Sequence, residues 1–161
     1  MRSVNDRIKW FRAHRPKDET GVIRAGLCLR HTWMATDIPS VGLADANAAL
    51  EYVRRHGHLR TNRNPPRGAW VFWWSSTHGH VAISVGDQRI VSTDVNGPGS
   101  TGEVGLGYPE IHWGHIYEGW TDWYGVPFTV TTPRTKRLRR RRGVLREKLR
   151  HVIRKLRGKD K

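Results

Sequence analysis

Charge is divided along this chain in a way that limits what can fold. The last 28 residues, 134–161, hold 15 of the 29 Lys and Arg against two acids, Glu147 and Asp160, a net of +13. The first 133 carry 14 basic and 12 acidic groups, a net of only +2. A run of like charges cannot collapse on itself, so a hydrophobic core has to come from residues 1–133. That length supports one core and one domain. Cys28 is the only cysteine, which rules out an intramolecular disulfide; the fold must rest on packing and suits a reducing cytoplasm. The first thirty residues carry charges throughout, from Arg2 and Asp6 to Arg24 and Arg30, unlike a secretory signal, and no stretch has the length and apolarity of a membrane span.

Within residues 1–133, helical patterns come first. Ser3 with Asp6 reads as a helix start, and Val4, Ile8 and Phe11 share a face that ends before Pro16. Leu27, Leu29, Trp33 and Met34 predict a short helix from Cys28 up to Pro39. A third helix is predicted at "DANAALEYVRRHG", with Asp45 as N-cap, Ala46, Ala49, Leu50 and Val53 on one stripe, and Gly57 past its end. After "NRNPPRG" the pattern turns to strands: "AWVFWW", then "HVAISV" and "RIVSTDV" around a three-residue "GDQ" hairpin loop. A glycine-rich loop, "NGPGSTGEVGLG", leads to a helical turn at "YPEIHWG", and "VPFTVT" is expected to close the sheet. This order predicts an α+β domain, N-terminal helices packed on a small antiparallel sheet.

Cys28 follows a glycine at the start of its helix. A thiol acts as a nucleophile in its thiolate form, which helix-terminal N–H groups and a neighbouring imidazole both favour. Among nine histidines, His80 stands out at the first position of a strand, behind Gly79. With "GDQ" as the loop, Val85 pairs with Arg89 and His80 lies opposite Asp94 on the same face. Asp94 can then accept the ring's second N–H and fix its tautomer, as the third member of a triad does. Ser92, diagonally across on that face, is the alternative. The His56/His58 and His78/His80 pairs lack a third ligand in register, so neither a metal nor another cofactor is expected.

These residues resemble a known family. The series "GLC", "PPRGAWVFWW", "GHVAISVG", "STD" and "WGHIYEGWTDWYGV" is similar to the N-terminal cysteine-peptidase domain of actinobacteriophage endolysins of the lysin A type. That group lies within the NlpC and CHAP class of papain-like peptidoglycan hydrolases. The likeness runs from about the first helix to Val130. It implies a papain-like fold and cleavage of amide bonds in bacterial peptidoglycan, with Cys28 as nucleophile and His80 as base. The third position of the NlpC type falls on Ser92, a departure from the family's usual residues, whereas Asp94 matches the "STD" of the lysin-like group. The resemblance also implies a host-lysis enzyme, monomeric, held in the host cytoplasm until a holin releases it to the wall.

Eight tryptophans offer aromatic faces for a substrate cleft, with Trp33, Trp73, Trp74, Trp113 and Trp120 as candidates and core packing as the plainer role. In segment 134–161, Leu145, Leu149, Val152, Ile153 and Leu156 form one helical stripe. Around it stand Arg139, Arg140, Arg141, Arg142, Arg146, Arg150, Arg154 and Lys155. That pattern predicts a basic amphipathic helix for an anionic surface, either wall polymer or phospholipid. Two other readings stay open: nucleic-acid binding through this segment, and a virion-associated wall hydrolase acting at infection.

Overall fold

The computed structural model describes residues 1–131; the helix expected in 134–161, with its cations, lies outside the described residues. Three helices come first, α1 (Val4–Ala13), α2 (Cys28–Thr36) and α3 (Ala46–Arg55). Ser3 caps α1 by accepting from the Asp6 N–H, and Asp45 caps α3 by accepting from the Ala48 N–H at 2.8 Å. α2 stops where Asp37 turns left-handed at φ 59°, just ahead of Pro39.

Five strands, β1 (Trp70–Trp74), β2 (His80–Gly86), β3 (Arg89–Thr93), β4 (Thr101–Gly105) and β5 (Ile116–Thr121), form an antiparallel sheet in the order β4-β3-β2-β1-β5. α4 (Tyr108–Trp113) joins β4 to β5. Two expectations fail here. "VPFTVT" does not close the sheet: Val126–Pro127, as β7, pairs only with β6 (Trp123–Tyr124) in a separate ribbon, and β5 takes the sheet edge instead. Pro127 has no N–H for a ladder, and Phe128 is drawn into the helical core against Trp70. The glycine-rich loop also contains β4, a strand without hydrophobic alternation that exists because β3 offers its edge. At Gly102 an added Cβ would lie 2.7 Å from Asn96 Nδ2 and Val95 Cγ2, so glycine is what lets that strand lie flat.

Both faces of the sheet are covered. Trp70, Phe72, Val81, Ile83 and Val91 pack against α1, α2 and α3. Val71, Trp73, Ala82 and Ile90 form a second core with Leu106 and Trp120. This explains why "AWVFWW" shows no alternation: a strand buried on both sides needs apolar residues at every position. Each such large side chain contributes about 1.5–3 kcal/mol by leaving water.

The β2–β3 hairpin keeps the expected register along its strands, with Ile83 opposite Val91 and Ser84 opposite Ile90. At its tip the expectation is corrected. Gly86 pairs with Arg89, Asp87 and Gln88 both take positive φ, and an irregularity at Val85 absorbs the extra residue. That is a two-residue turn, whose left-handed pair matches the twist of the strands.

Candidate active site

The start of α2 has no side-chain cap. Its N-cap is Leu27, which makes no side-chain capping bond, so the first helical N–H groups are not occupied by a capping side chain. Cys28 is the first residue of the helix, 6% exposed, and sits in the helical core beside Val81. Its sulfur lies within reach of the backbone N–H groups of Val81 and Leu29. Burial nevertheless dominates and pushes the thiol up to about 11, with the charge of Asp94 acting in the same direction.

His80 opens β2, opposite Trp73 on β1. Alternation sends its ring to the face away from Cys28, where it is 5% exposed, with Trp113 edge-on at 4.9 Å. Thiol and imidazole therefore flank one peptide link: the sulfur approaches the Val81 N–H, and the ring belongs to the residue before it. No hydrogen bond joins Sγ to the ring in this state. Burial, and secondarily His115, pushes His80 down to about 3. Both groups are thus neutral at pH 7.

The partner of His80 is Ser92. Its Oγ lies 2.7 Å from His80 Nε2 and donates its proton to the Thr93 carbonyl at 3.1 Å. With that proton used, Ser92 accepts the Nε2–H, which leaves the Nδ1 lone pair available as a base. The expected His80–Asp94 contact is replaced for a local reason. β3 ends at Thr93, and Asp94 turns left-handed at φ 63°, leaving the ladder before the register can present its carboxylate to the ring. Instead its two oxygens accept from Gly99 N–H at 2.6 Å and Gly26 N–H at 3.3 Å. Asp94 is a clamp on the loop that leads into Cys28.

The candidate tryptophans scatter. Trp33 lines a pocket of about 270 Å³ beside the thiol, and Trp113 packs on His80. Trp73 is fully buried in the second core, touching His80 at 6.1 Å between rings, and Trp120 is sealed there beneath Arg60. Neither lines an open cleft: both sides of β1 are covered around Trp73, and Trp120 on β5 is buried in the second core under the Arg60 guanidinium. Trp74 is 41% exposed at the strand end and lines neither Cys28's pocket nor His80's surroundings.

The pocket collects residues that the sequence does not flag. The starts of α2 and α3 both border it, together with Arg30, Asp45 and His78. Asp45, legible only as a helix cap, also holds the His78 ring at 3.1 Å. His115 stands 6.3 Å from His80, ring to ring, with its Nδ1 buried and without a partner among the described residues. In the sequence His115 stands only near an aromatic turn, which is no signal. Among the described residues no group of three His, Cys, Asp or Glu gathers as metal ligands would. The chain matches no protein-family model, and a search of curated proteins finds no match.

Proposed function

We propose that residues 1–133 form a papain-like cysteine hydrolase that cuts amide bonds of bacterial peptidoglycan, as a phage lysis enzyme does. One observation carries this reading: a lone thiol at an uncapped helix start approaches the Val81 N–H, and the preceding residue is a histidine whose tautomer Ser92 sets. The family resemblance of the motifs supplies the substrate.

Because thiol and imidazole are both neutral, proton transfer accompanies attack. Proton transfer needs Sγ and Nδ1 within hydrogen-bond reach, so substrate binding has to shift the start of α2 or of β2 until both groups stand on one side of the sheet. Sγ adds to the carbonyl carbon of the scissile amide while its proton passes to Nδ1. The oxyanion is met by N–H groups at the α2 start, most directly that of Cys28. The imidazolium then protonates the leaving amine, and a thioester remains. Water, giving a proton to Nδ1, attacks that thioester, and the proton returns to sulfur as the acid leaves. The basic segment 134–161 would hold the enzyme to an anionic wall or membrane surface.

Purified cell walls test this directly. Cys28→Ala is expected to lower the release of amino groups at least about a thousandfold. Equal clearing by parent and variant would end the thiol mechanism.

A further inference from the structure

A second and larger pocket, about 380 Å³, lies along the other side of Arg30. It forms between the end of α1, the loop after it, and α2. Trp10, Ile23 and Met34 give it apolar walls, and Arg15, Lys17 and Arg30 supply cations. No acidic residue lines it, whereas Glu19 and Asp45 both line the pocket at the thiol.

The cations are unusual for this domain. Seven other arginines pair with carboxylates. Arg15, Lys17 and Arg30 make no such pair among the described residues, and Arg30 Nε is buried there with no hydrogen-bond partner. Arg15 is also held in place. Arg15 Nε donates to the Gly99 carbonyl at 2.9 Å, the residue whose N–H Asp94 holds. Lys17 is bridged through its backbone to Ile23, which sets a cation beside an apolar wall. Cations without counter-charges, beside apolar walls, match a ligand with an anionic head and a small apolar body.

Arg30 borders both pockets, so a ligand seated here continues over Arg30 toward Cys28. We infer that this pocket is a substrate subsite that takes a free carboxylate of the peptidoglycan stem peptide and so orients the scissile amide at the thiol. This rests on the hydrolase reading for the identity of the ligand. A phosphate-bearing polymer would share the charge, but it has no amide to present at the thiol.

The test is binding to the full chain carrying Cys28→Ala, followed by calorimetry. The probes are a synthetic stem tetrapeptide with a free C-terminal carboxylate, the same peptide as its carboxamide, and inorganic phosphate. The carboxylate form is expected to bind about tenfold more tightly than the carboxamide. Adding Arg15→Gln with Lys17→Gln should erase that difference, and Lys17→Gln alone should narrow it. Both side chains are exposed, so the core is untouched, and unchanged circular dichroism checks this. Equal binding of the two peptides, or a preference that survives the double substitution, overturns the subsite. So does phosphate binding that the substitutions abolish while the peptide carboxylate is ignored. The hydrolase reading fails separately, if the parent chain releases nothing from walls while the carboxylate preference stands.

Discussion

Ser92 and Asp94 stand two residues apart, and their side chains do different things. Ser92→Ala leaves a buried imidazole N–H without an acceptor, an omission that costs about 1–3 kcal/mol. It also frees the ring to adopt the other tautomer. The expected outcome is a kcat about ten- to a hundredfold lower with KM little changed, measured on soluble wall fragments. Asp94→Asn should keep kcat within a few-fold, since the amide oxygen can still accept from Gly99. It should also make Cys28 easier to alkylate at a given pH, because a charge that disfavours the thiolate is gone. Titration sets the stability profile at the same scale. His80 and His31 are buried and pushed down, to about 3 and about 4, so below their ordinary values the unfolded chain binds protons that the native one does not. Stability is therefore full above about pH 6.5 and falls as pH drops toward 4 and then 3, by at most about 1.4 kcal/mol per pH unit for each group. Cys28, pushed up to about 11, acts oppositely: above pH 9 the unfolded chain loses a proton that the native state keeps. Urea midpoints measured against pH should trace a plateau between these limits. A midpoint that stays constant down to pH 4 would contradict the buried neutral histidines.

At the scale of elements, the start of β2 is positioned by a crowded glycine. Gly79 has φ 67°, and a Cβ there would press on Asn47 Oδ1 and lie 2.9 Å from the Trp73 carbonyl. Asn47 belongs to α3 and donates to the Ser75 carbonyl at 2.8 Å, so this contact locks the helix layer to the strand turn that carries His80. Gly79→Ala is expected to cost about 2–3 kcal/mol, through strain at positive φ and the close approach. Activity per folded molecule should fall as well, because the displaced residue precedes His80. A thermal melt and active-site titration of the same sample separate the two effects. α2 starts without a side-chain cap, whereas at the start of α3 Asp45 both caps the helix and lines the thiol's pocket.

At the scale of the molecule, the sheet is a divider with a core on each face, and Cys28 and His80 belong to opposite sides of it. What links them is one peptide unit: each stands at the beginning of its element, and the sulfur approaches the N–H of Val81, the residue after His80. The division of charge has its own consequence. Removing residues 134–161 takes away +13 and leaves a domain near neutrality. The shortened chain is expected to melt within a few degrees of the parent and to cut soluble fragments equally fast. Its binding to anionic vesicles or walls should lose most of its strength and its salt dependence. Unchanged binding would remove the proposed role of that segment.

The helices, the hairpin register and the placement of Cys28 at a helix start were legible because each follows from spacing within a dozen residues: apolar stripes, caps, and a turn between two β-branched runs. β4 and the burial of Trp73 and Trp120 were not, because backbone pairing and the covering of a second face leave no local pattern. The choice between Ser92 and Asp94 turned on one backbone angle. The register brought both near His80, and the left-handed turn at Asp94 withdrew the acid. Local spacing and composition were enough to specify a near-neutral α+β domain with one thiol and a strand histidine. Folding in three dimensions settled which side chain holds that histidine, how burial sets the protonation of both groups, and which cations around Arg30 lack a carboxylate among the described residues. Those properties depend on what is packed nearby in space, and contacts such as Asp45 with His78 join residues that are far apart along the chain.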